Sequence, residues 1–200
     1  ESGTSTINSL GEIERRRISF EGRAGIEFDL SDHDILTFGI RGGKREGGFN
    51  SSDNFTEISS SEPTELQYTG NNERTREGTY YSLNSNYTRT FGLQGHQLLA
   101  EFLFSKQSSD EFTRTAEFDD VSQISGKKTT ENGPSTDFRG KVDYTLPFSD
   151  VSKFEAGYQG EIELSDENTG LYEYNPLTNE YEILSQFSNI TKYNESQHSL

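Results

Sequence analysis

Two histidines of this 200-residue chain stand in short polar segments where a metal ion could bind. Asp32 and Asp34 flank His33, whereas His96 ends a separate segment, Gly92–His96, that contains two glycines. Imidazole and carboxylate groups bind divalent metals, but a site needs several ligands at a suitable spacing. The sequence supplies no such spacing. We therefore interpret both histidines as turn residues in water and predict no metal site.

Acidic residues are frequent, but their spacing does not indicate catalysis. The segment Asp166–Gly170 superficially resembles a calcium loop, yet it lacks the alternating oxygen ligands and the distal glutamate. No set of serine, histidine and aspartate can be assembled, and the absence of cysteine excludes a thiolate nucleophile. We predict no catalytic residue and no cofactor, and we expect that the chain is not an enzyme. Other carboxylates fall at alternate strand positions and are interpreted as a solvated wall: Asp137, Asp143, Glu155, Glu161 and Glu163.

The clearest pattern in the chain is a strict alternation of residue types. From Ile18 to Leu30, even positions are apolar or small, and odd positions are polar, charged or glycine. A period of two places these sets on opposite faces of a β-strand. Five more segments show this alternation, and a seventh begins near the chain end: Ile35–Gly43, Thr79–Phe91, Gln97–Ser105, Asp137–Leu146, Phe154–Leu164 and Lys192–Leu200.

The connections between these predicted strands alternate between short and long. The short turns are Ser31–Asp34, Gly92–His96 and Pro147–Ser152, and the long loops are Lys44–Gly78, Lys106–Thr136 and Ser165–Thr191. A transmembrane barrel has this arrangement, with short turns on the periplasmic side and long loops outside. We predict an all-β fold, an antiparallel meander of long transmembrane strands in which residues 1–200 form part of one barrel. Because a spanning sheet must close, we expect an incomplete segment of a larger barrel.

The composition is consistent with a barrel and excludes some partners. Only 28% of residues are hydrophobic, which is low for a two-layer soluble domain but sufficient for a barrel with one apolar face. The net charge of −16, with no basic stripe, excludes nucleic acid as a partner. The aromatic residues fit two interfacial girdles, although they fit ordinary strand positions equally well. The girdle residues are Phe20, Tyr80 and Tyr81 toward the outside, with Phe91 and Phe148 toward the periplasm.

Two hairpins allow the strand register to be predicted. Around Ser31–Asp34, Phe28 is placed opposite Phe38, Ile26 opposite Ile40, and Glu27 diagonal to Arg41. Around Pro147–Ser152, the predicted pairs are Leu146 with Phe154, Val142 with Tyr158, Gly140 with Gly160, Phe138 with Ile162 and Arg139 with Glu161. These registers keep apolar side chains together on a face that we expect to contact lipid, and they place opposite charges together on the inner face.

Several segments resemble strands of the TonB-dependent receptors, a family of outer-membrane β-barrels. They are Gly95–Ser105, Val142–Phe148, Phe154–Tyr158, the hairpin-like run Tyr172–Asn175 to Thr178–Tyr181, and Tyr193–Glu195. This resemblance implies an outer-membrane receptor of a Gram-negative bacterium that imports a solute of unknown identity. It also implies as partners outer-membrane lipid and lipopolysaccharide, a plug, the remaining barrel strands and an energy-transducing TonB-type protein.

A second class of function remains open from the sequence. A soluble secreted β-sheet binding module, for instance a carbohydrate-binding sandwich, is also rich in alternating strands. Such a module shows two packed sheets and, on an outer face, a platform of tryptophan or tyrosine side chains. The chain contains no tryptophan and 10 tyrosines. The arrangement of the sheet therefore discriminates between the two readings.

Overall fold

The computed structural model describes residues 5–59, 65–120, 122–149 and 151–200, and nearly all of them lie in β-strands. A 3₁₀ turn at Ser185–Phe187 is the sole helical element of these residues. None of the described residues belongs to a helix long and apolar enough to cross a bilayer. The strands are β1 (Ser5–Ser31), β2 (Asp34–Ser59), β3 (Glu65–Thr90), β4 (Gln97–Asp119), β5 (Ser122–Ser149), β6 (Ser152–Asn175), β7 (Glu180–Ile183) and β8 (Asn189–Ser199).

The strands form one antiparallel sheet in which neighbours in sequence are neighbours in space. The order runs from β1 to β7, and β8 also pairs with β6, along residues 159–169. The short strand β7 pairs with residues 172–175 of β6, which confirms the predicted hairpin. The predicted meander is therefore confirmed. Among the described residues no pairing joins β1 to β8, so the sheet has two open edges.

The predicted short turns lie at one end of the sheet. Between β1 and β2, the Ser31 hydroxyl donates to Asp34 Oδ2 at 2.6 Å. Between β3 and β4, Gly95 has a φ of 79°, a left-handed conformation that glycine adopts without strain. The third turn connects β5 and β6, and one of its residues, 150, lies outside the described part of the chain. The three short connections predicted from the sequence therefore lie together at one end of the sheet.

The predicted long loops are wrong, because paired strand fills most of Lys44–Gly78, Lys106–Thr136 and Ser165–Thr191. β2 continues to Ser59 and pairs with β3 from Glu65 onward, so this connection falls on residues 60–64, outside the described residues. Alternation arises when one face of a sheet is apolar, and a strand with water on both faces lacks this pattern. The sequence therefore predicted only the half of each strand nearest the short turns.

The register of the β5–β6 hairpin is as predicted. Arg139 lies opposite Glu161, and Gly140 lies opposite Gly160. The other predicted pairs are also present, namely Leu146 with Phe154, Val142 with Tyr158 and Phe138 with Ile162. The predicted position of the turn, together with the pairing of apolar residues with apolar residues, gave this register.

The register of the β1–β2 hairpin differs from the prediction by two residues. Phe28 lies opposite Leu36 rather than Phe38, and Ile26 lies opposite Phe38. Only two residues form the turn, and β1 has a register shift just before Ser31. The strands therefore pair closer to the turn than expected. Both registers keep the same residues on each face, so hydrophobic patterning did not distinguish them.

The sheet has no hydrophobic core of its own. Ala116, at 5% exposure, is the sole buried apolar side chain among the described residues. Large apolar side chains stand in the open instead, including Phe20 at 71% and Ile26 at 56% exposure. The two packed sheets of a soluble sandwich are not formed by the described residues. The apolar surface must therefore be covered by something other than this chain.

Candidate functional site

One face of the sheet carries three adjacent cross-strand rows of mostly apolar side chains. We call this face, with its rows, the apolar face. The first row is Ala24, Ile40, Leu83, Phe104, Phe138 and Ile162; the second is Ile26, Phe38, Ser85, Phe102, Gly140 and Gly160; the third is Phe28, Leu36, Tyr87, Ala100, Val142 and Tyr158. Most of these large side chains are exposed, as predicted from the alternation.

The apolar face occupies only the part of each strand near the short turns. Along β1 it runs from Phe20 to Leu30, which corresponds to about 34 Å at 3.3–3.4 Å per residue. A spanning strand needs about 9–11 residues at a tilt near 45°, and this length fits that requirement. β1 itself has 27 residues. The remainder of each strand is mostly polar on both faces, with scattered apolar side chains such as Leu10 and Ile13, and extends beyond the apolar rows.

A belt of aromatic and polar side chains borders the apolar face at the short-turn end. The Phe91 ring stacks on the His96 ring with centroids 4.1 Å apart, and both contact the Tyr144 ring. His96 Nε2 and the Tyr144 hydroxyl are hydrogen bonded at 2.8 Å. Rings with one apolar body and one polar tip are enriched where a membrane meets water. Phe91 was predicted here, whereas Tyr144 was missed, because its approach requires the register of β4 and β5.

Asp34 extends the same belt at the first turn. Its Oδ1 accepts a hydrogen bond of 2.6 Å from the Tyr87 hydroxyl, and Arg89 Nη1 lies 3.5 Å away. Asp34 is the first residue of β2 and lies beyond the apolar rows, beside the turn. Hydrogen bonds from Ser31 and Tyr87, with the nearby Arg89 charge, lower the pKa of the Asp34 carboxyl below its usual value. The carboxylate therefore stays ionised and fixes the polar edge of this hairpin.

Two of the three residues predicted for an outer girdle lie on the apolar face. Phe20 and Tyr81 lie on the apolar face, at the end of the rows away from the short turns. Tyr80 was wrongly included, because a neighbour in a strand points to the opposite face. Its hydroxyl donates to Glu21 Oε2 at 2.6 Å on the polar face. Phe148 is 69% exposed beside the third turn, as the periplasmic girdle requires.

The opposite face, which we call the polar face, carries paired charges. Arg139 and Glu161 form a two-point ion pair with distances of 2.7 and 3.1 Å. Arg41 forms a similar pair with Glu21, at 2.8 and 2.9 Å, and does not lie diagonal to Glu27 as predicted. The predicted wall of carboxylates also lies on this face, at Asp137, Asp143, Glu155, Glu161 and Glu163.

The remaining candidates for chemistry lie apart. His33 is in the first turn and His96 in the second, at the same end of the sheet. No group of three or more metal-binding side chains occurs within the described ranges. Asp166–Gly170 belongs to β6 and is not a loop. The sequence analysis overlooked His198, which is hydrogen bonded to Tyr158 at 2.6 Å on the apolar face; only the β6–β8 register signals that contact.

Comparison with known families supports the same reading of the sheet. Residues 89–200, more than half of the chain, match the model of the outer membrane protein beta-barrel family. The chain belongs to this family. A member of it is expected in the outer membrane, and its apolar face is therefore read as the surface that contacts lipid.

Two solved structures are weakly similar to this chain. The ferric yersiniabactin uptake receptor FyuA from Yersinia pestis is 11% identical with a TM-score of 0.28, over 98% of this chain and 43% of the receptor. The Cry23Aa1 and Cry37Aa1 binary protein complex is 12% identical with a TM-score of 0.14, over 99% and 75%. The chain thus spans less than half of the receptor's length. A search of curated proteins gave no match. Scores this low support no argument about fold or function.

Proposed function

We propose that this barrel-family chain forms part of the wall of a receptor that takes up a solute across the outer membrane of a Gram-negative bacterium. The observation that carries the proposal is the bare apolar face, exposed on a sheet without a core. Lipid is the partner that covers such a face without needing shape complementarity. In water, exposed patches beyond about 300–600 Å² are rare on monomers.

The polar face supports a lumen wide enough to hold water. Its ion pairs, Arg139–Glu161 and Arg41–Glu21, keep between 27% and 53% of their side chains exposed. A lumen filled by apolar packing has no room for such groups, whereas a large barrel with a wet interior does. A receptor of this kind recognises its solute on the inner wall and on the strand extensions outside the membrane.

Closure of the barrel and energy input require further parts. The open edges of β1 and β8 must pair with other strands, because no backbone group remains unpaired in lipid. We propose that residues 1–200 are one section of a single barrel domain, closed by the remaining strands and filled by a plug. A TonB-type protein supplies energy, and lipopolysaccharide contacts the outer rim. These partners rest on the strand resemblance described above.

The test is made in the native cell with the complete protein. Deletion of the gene is expected to slow removal of one scarce solute from the medium, identified by comparing solutes left by mutant and parent cultures. Collapsing the inner-membrane proton gradient should slow that removal in the parent equally. Recovery of the protein from the soluble extracellular fraction, or uptake that is insensitive to the gradient, would overturn the proposal.

A further inference from the structure

Five arginine side chains cluster on the polar face of β1, β2 and β3, although the chain as a whole is acidic, with a net charge of −16. On this face, positions 13–19 of β1, 45–51 of β2 and 72–78 of β3 contain no acidic residue. All five side chains are exposed. We call the group the arginine patch: Arg15, Arg17, Arg45, Arg74 and Arg76.

The arginine patch surrounds an open floor. Gly47 lies between Arg17 and Arg76 in one cross-strand row, and Arg15 and Arg74 belong to the next row. Because glycine has no side chain, the guanidinium groups of Arg17 and Arg76 stand on either side of a gap, whereas Phe49 occupies the position between Arg15 and Arg74. The depression at this place has a volume of about 770 Å³. That is the size of many small-molecule sites, which range from about 300 to 1,000 Å³.

The positive charge of the patch is only partly compensated. Glu111 lies 2.6 Å from Arg74 and 3.7 Å from Arg76. Arg45 lies over the Tyr80 ring, 4.7 Å from its centroid, and its charge also acts on the nearby Glu21 carboxylate, which is already paired with Arg41. The guanidinium groups of Arg15, Arg17 and Arg45 form no ion pair with any residue in the described ranges. Like charges in neighbouring strands repel, so a bound anion would stabilise this arrangement.

We propose that the arginine patch binds a phosphate-bearing anionic solute, an inference that rests on the proposed uptake function. Guanidinium groups match phosphate oxygens with paired, charge-assisted hydrogen bonds. Gln107 and Ser109 line the same depression and supply neutral hydrogen-bonding groups. The patch lies on the strand extension beyond the apolar rows, on the face away from lipid. This position is the entrance of the lumen on the outer side, where a solute arrives first.

Arg16 provides a matched control on the same strand. Arg16 and Glu46 also border the depression, but their side chains alternate to the opposite face of the sheet, where the charge of Arg16 acts on Glu46. A second variant, Gly47→Leu, fills the floor without removing charge. A Cβ added to Gly47 comes within 4 Å of one neighbouring atom only, the Arg16 backbone oxygen at 3.5 Å, so the substitution fits the strand.

The experiment is calorimetric titration of the full-length, detergent-purified protein with sodium tripolyphosphate. Binding is expected for the parent and to weaken at higher salt, because exposed charges are screened. The double variant Arg15→Gln/Arg17→Gln and the variant Gly47→Leu should each bind roughly tenfold more weakly or worse. Arg16→Gln should bind like the parent. Heat-dependent migration in detergent gels checks that every variant is folded.

Each other outcome overturns the proposal. No tripolyphosphate binding by the folded parent, or equal losses for Arg16→Gln and the double variant, would show that the patch is not a site. If the double variant unfolds more easily but binds tripolyphosphate like the parent, the binding site lies in another part of the protein. If the protein binds vesicles that contain lipopolysaccharide but does not bind tripolyphosphate, the patch recognises a phosphate group of the lipid and not of a solute. Because this titration needs no transport, its failure is distinguishable from failure of the uptake function.

Discussion

Arg139 on β5 and Glu161 on β6 lie opposite each other, with Nη2 2.7 Å from Oε1 and Nε 3.1 Å from Oε2. The chain neighbours of Arg139, Phe138 and Gly140, point to the opposite face. A charged wall and a bare apolar surface therefore lie one residue apart along the same strand. A barrel with lipid outside and water inside is the setting in which both surfaces are stable.

Charge should be costly on the apolar face and tolerated on the polar face. Ile26→Arg and Val142→Arg are each expected to reduce the free energy of unfolding by about 2–4 kcal/mol, because lipid does not solvate a guanidinium. Arg139→Gln and Glu161→Gln should cost less than about 1 kcal/mol, because both groups stay partly in water. Urea titration of the full-length protein in lipid vesicles measures each change. Equal losses for the two pairs would contradict the assignment of faces.

The carboxyl of Asp34 should make the first hairpin sensitive to acid. Its pKa is lowered in the folded protein, so ionised Asp34 stabilises the fold above pH 3.8, the ordinary value. That contribution is lost as the pH falls below 3.8 through the folded value. Compared with the parent, Asp34→Asn should be less stable at pH 6, and the difference should be smaller at pH 2. Urea titrations at both pH values measure this; an unchanged difference would contradict the carboxylate role.

The hydrogen bond between Tyr144 and His96 should stabilise the belt at the short-turn end. Tyr144→Phe removes the hydroxyl and keeps the ring, and it should cost about 0.5–1.5 kcal/mol of unfolding free energy. Tyr81→Phe is the control, since the Tyr81 hydroxyl makes no hydrogen bond to another described residue. Combining Tyr144→Phe with His96→Ala tests the coupling. Additive losses would show that the two side chains act independently.

The polar halves of the strands should behave as paired sheet and not as loops. Residues 45–58 pair with 65–78, so their backbone amides that point into the ladder should exchange slowly with deuterium although their side chains are in water. The measurement is hydrogen exchange by mass spectrometry on the folded protein, with peptides from the turn around Gly95 as the fast-exchanging reference. Complete exchange of both segments within seconds would show that they are loops, as the sequence predicted.

The sequence predicted the strands where one face is apolar and missed them where both faces are polar. Ile18–Leu30 alternates strictly and lies within β1, whereas Lys44–Gly78 has no such pattern and still forms most of a hairpin. The difference is physical, because alternation records a contrast between two environments. A strand extension with water on both sides experiences no contrast. Its pairing depends on the neighbouring strands, and a single sequence does not show that dependence.

The contacts of the candidate site depend on the strand register, which was predicted correctly for only one of the two hairpins. Arg139 and Glu161 were predicted as a pair, because the predicted turn at Pro147–Ser152 placed β5 and β6 in the observed register. Arg41 was assigned a wrong partner, because a shift of two residues preserves both faces. Contacts that span three strands, such as the hydrogen bond from the Tyr80 hydroxyl on β3 to Glu21 on β1, were beyond prediction from one hairpin at a time.

The most direct test of the account is the accessibility of single spin labels along β1 in a bilayer. The 200-residue chain contains no cysteine, so one cysteine introduced at each of Gly25, Ile26, Glu27 and Phe28 gives a unique site within it. Labels at Ile26 and Phe28 should collide more often with lipid-soluble oxygen, and those at Gly25 and Glu27 with a water-soluble nickel complex. An alternation with period two is the predicted result. Equal accessibility of all four labels to the nickel complex would contradict a lipid-facing sheet.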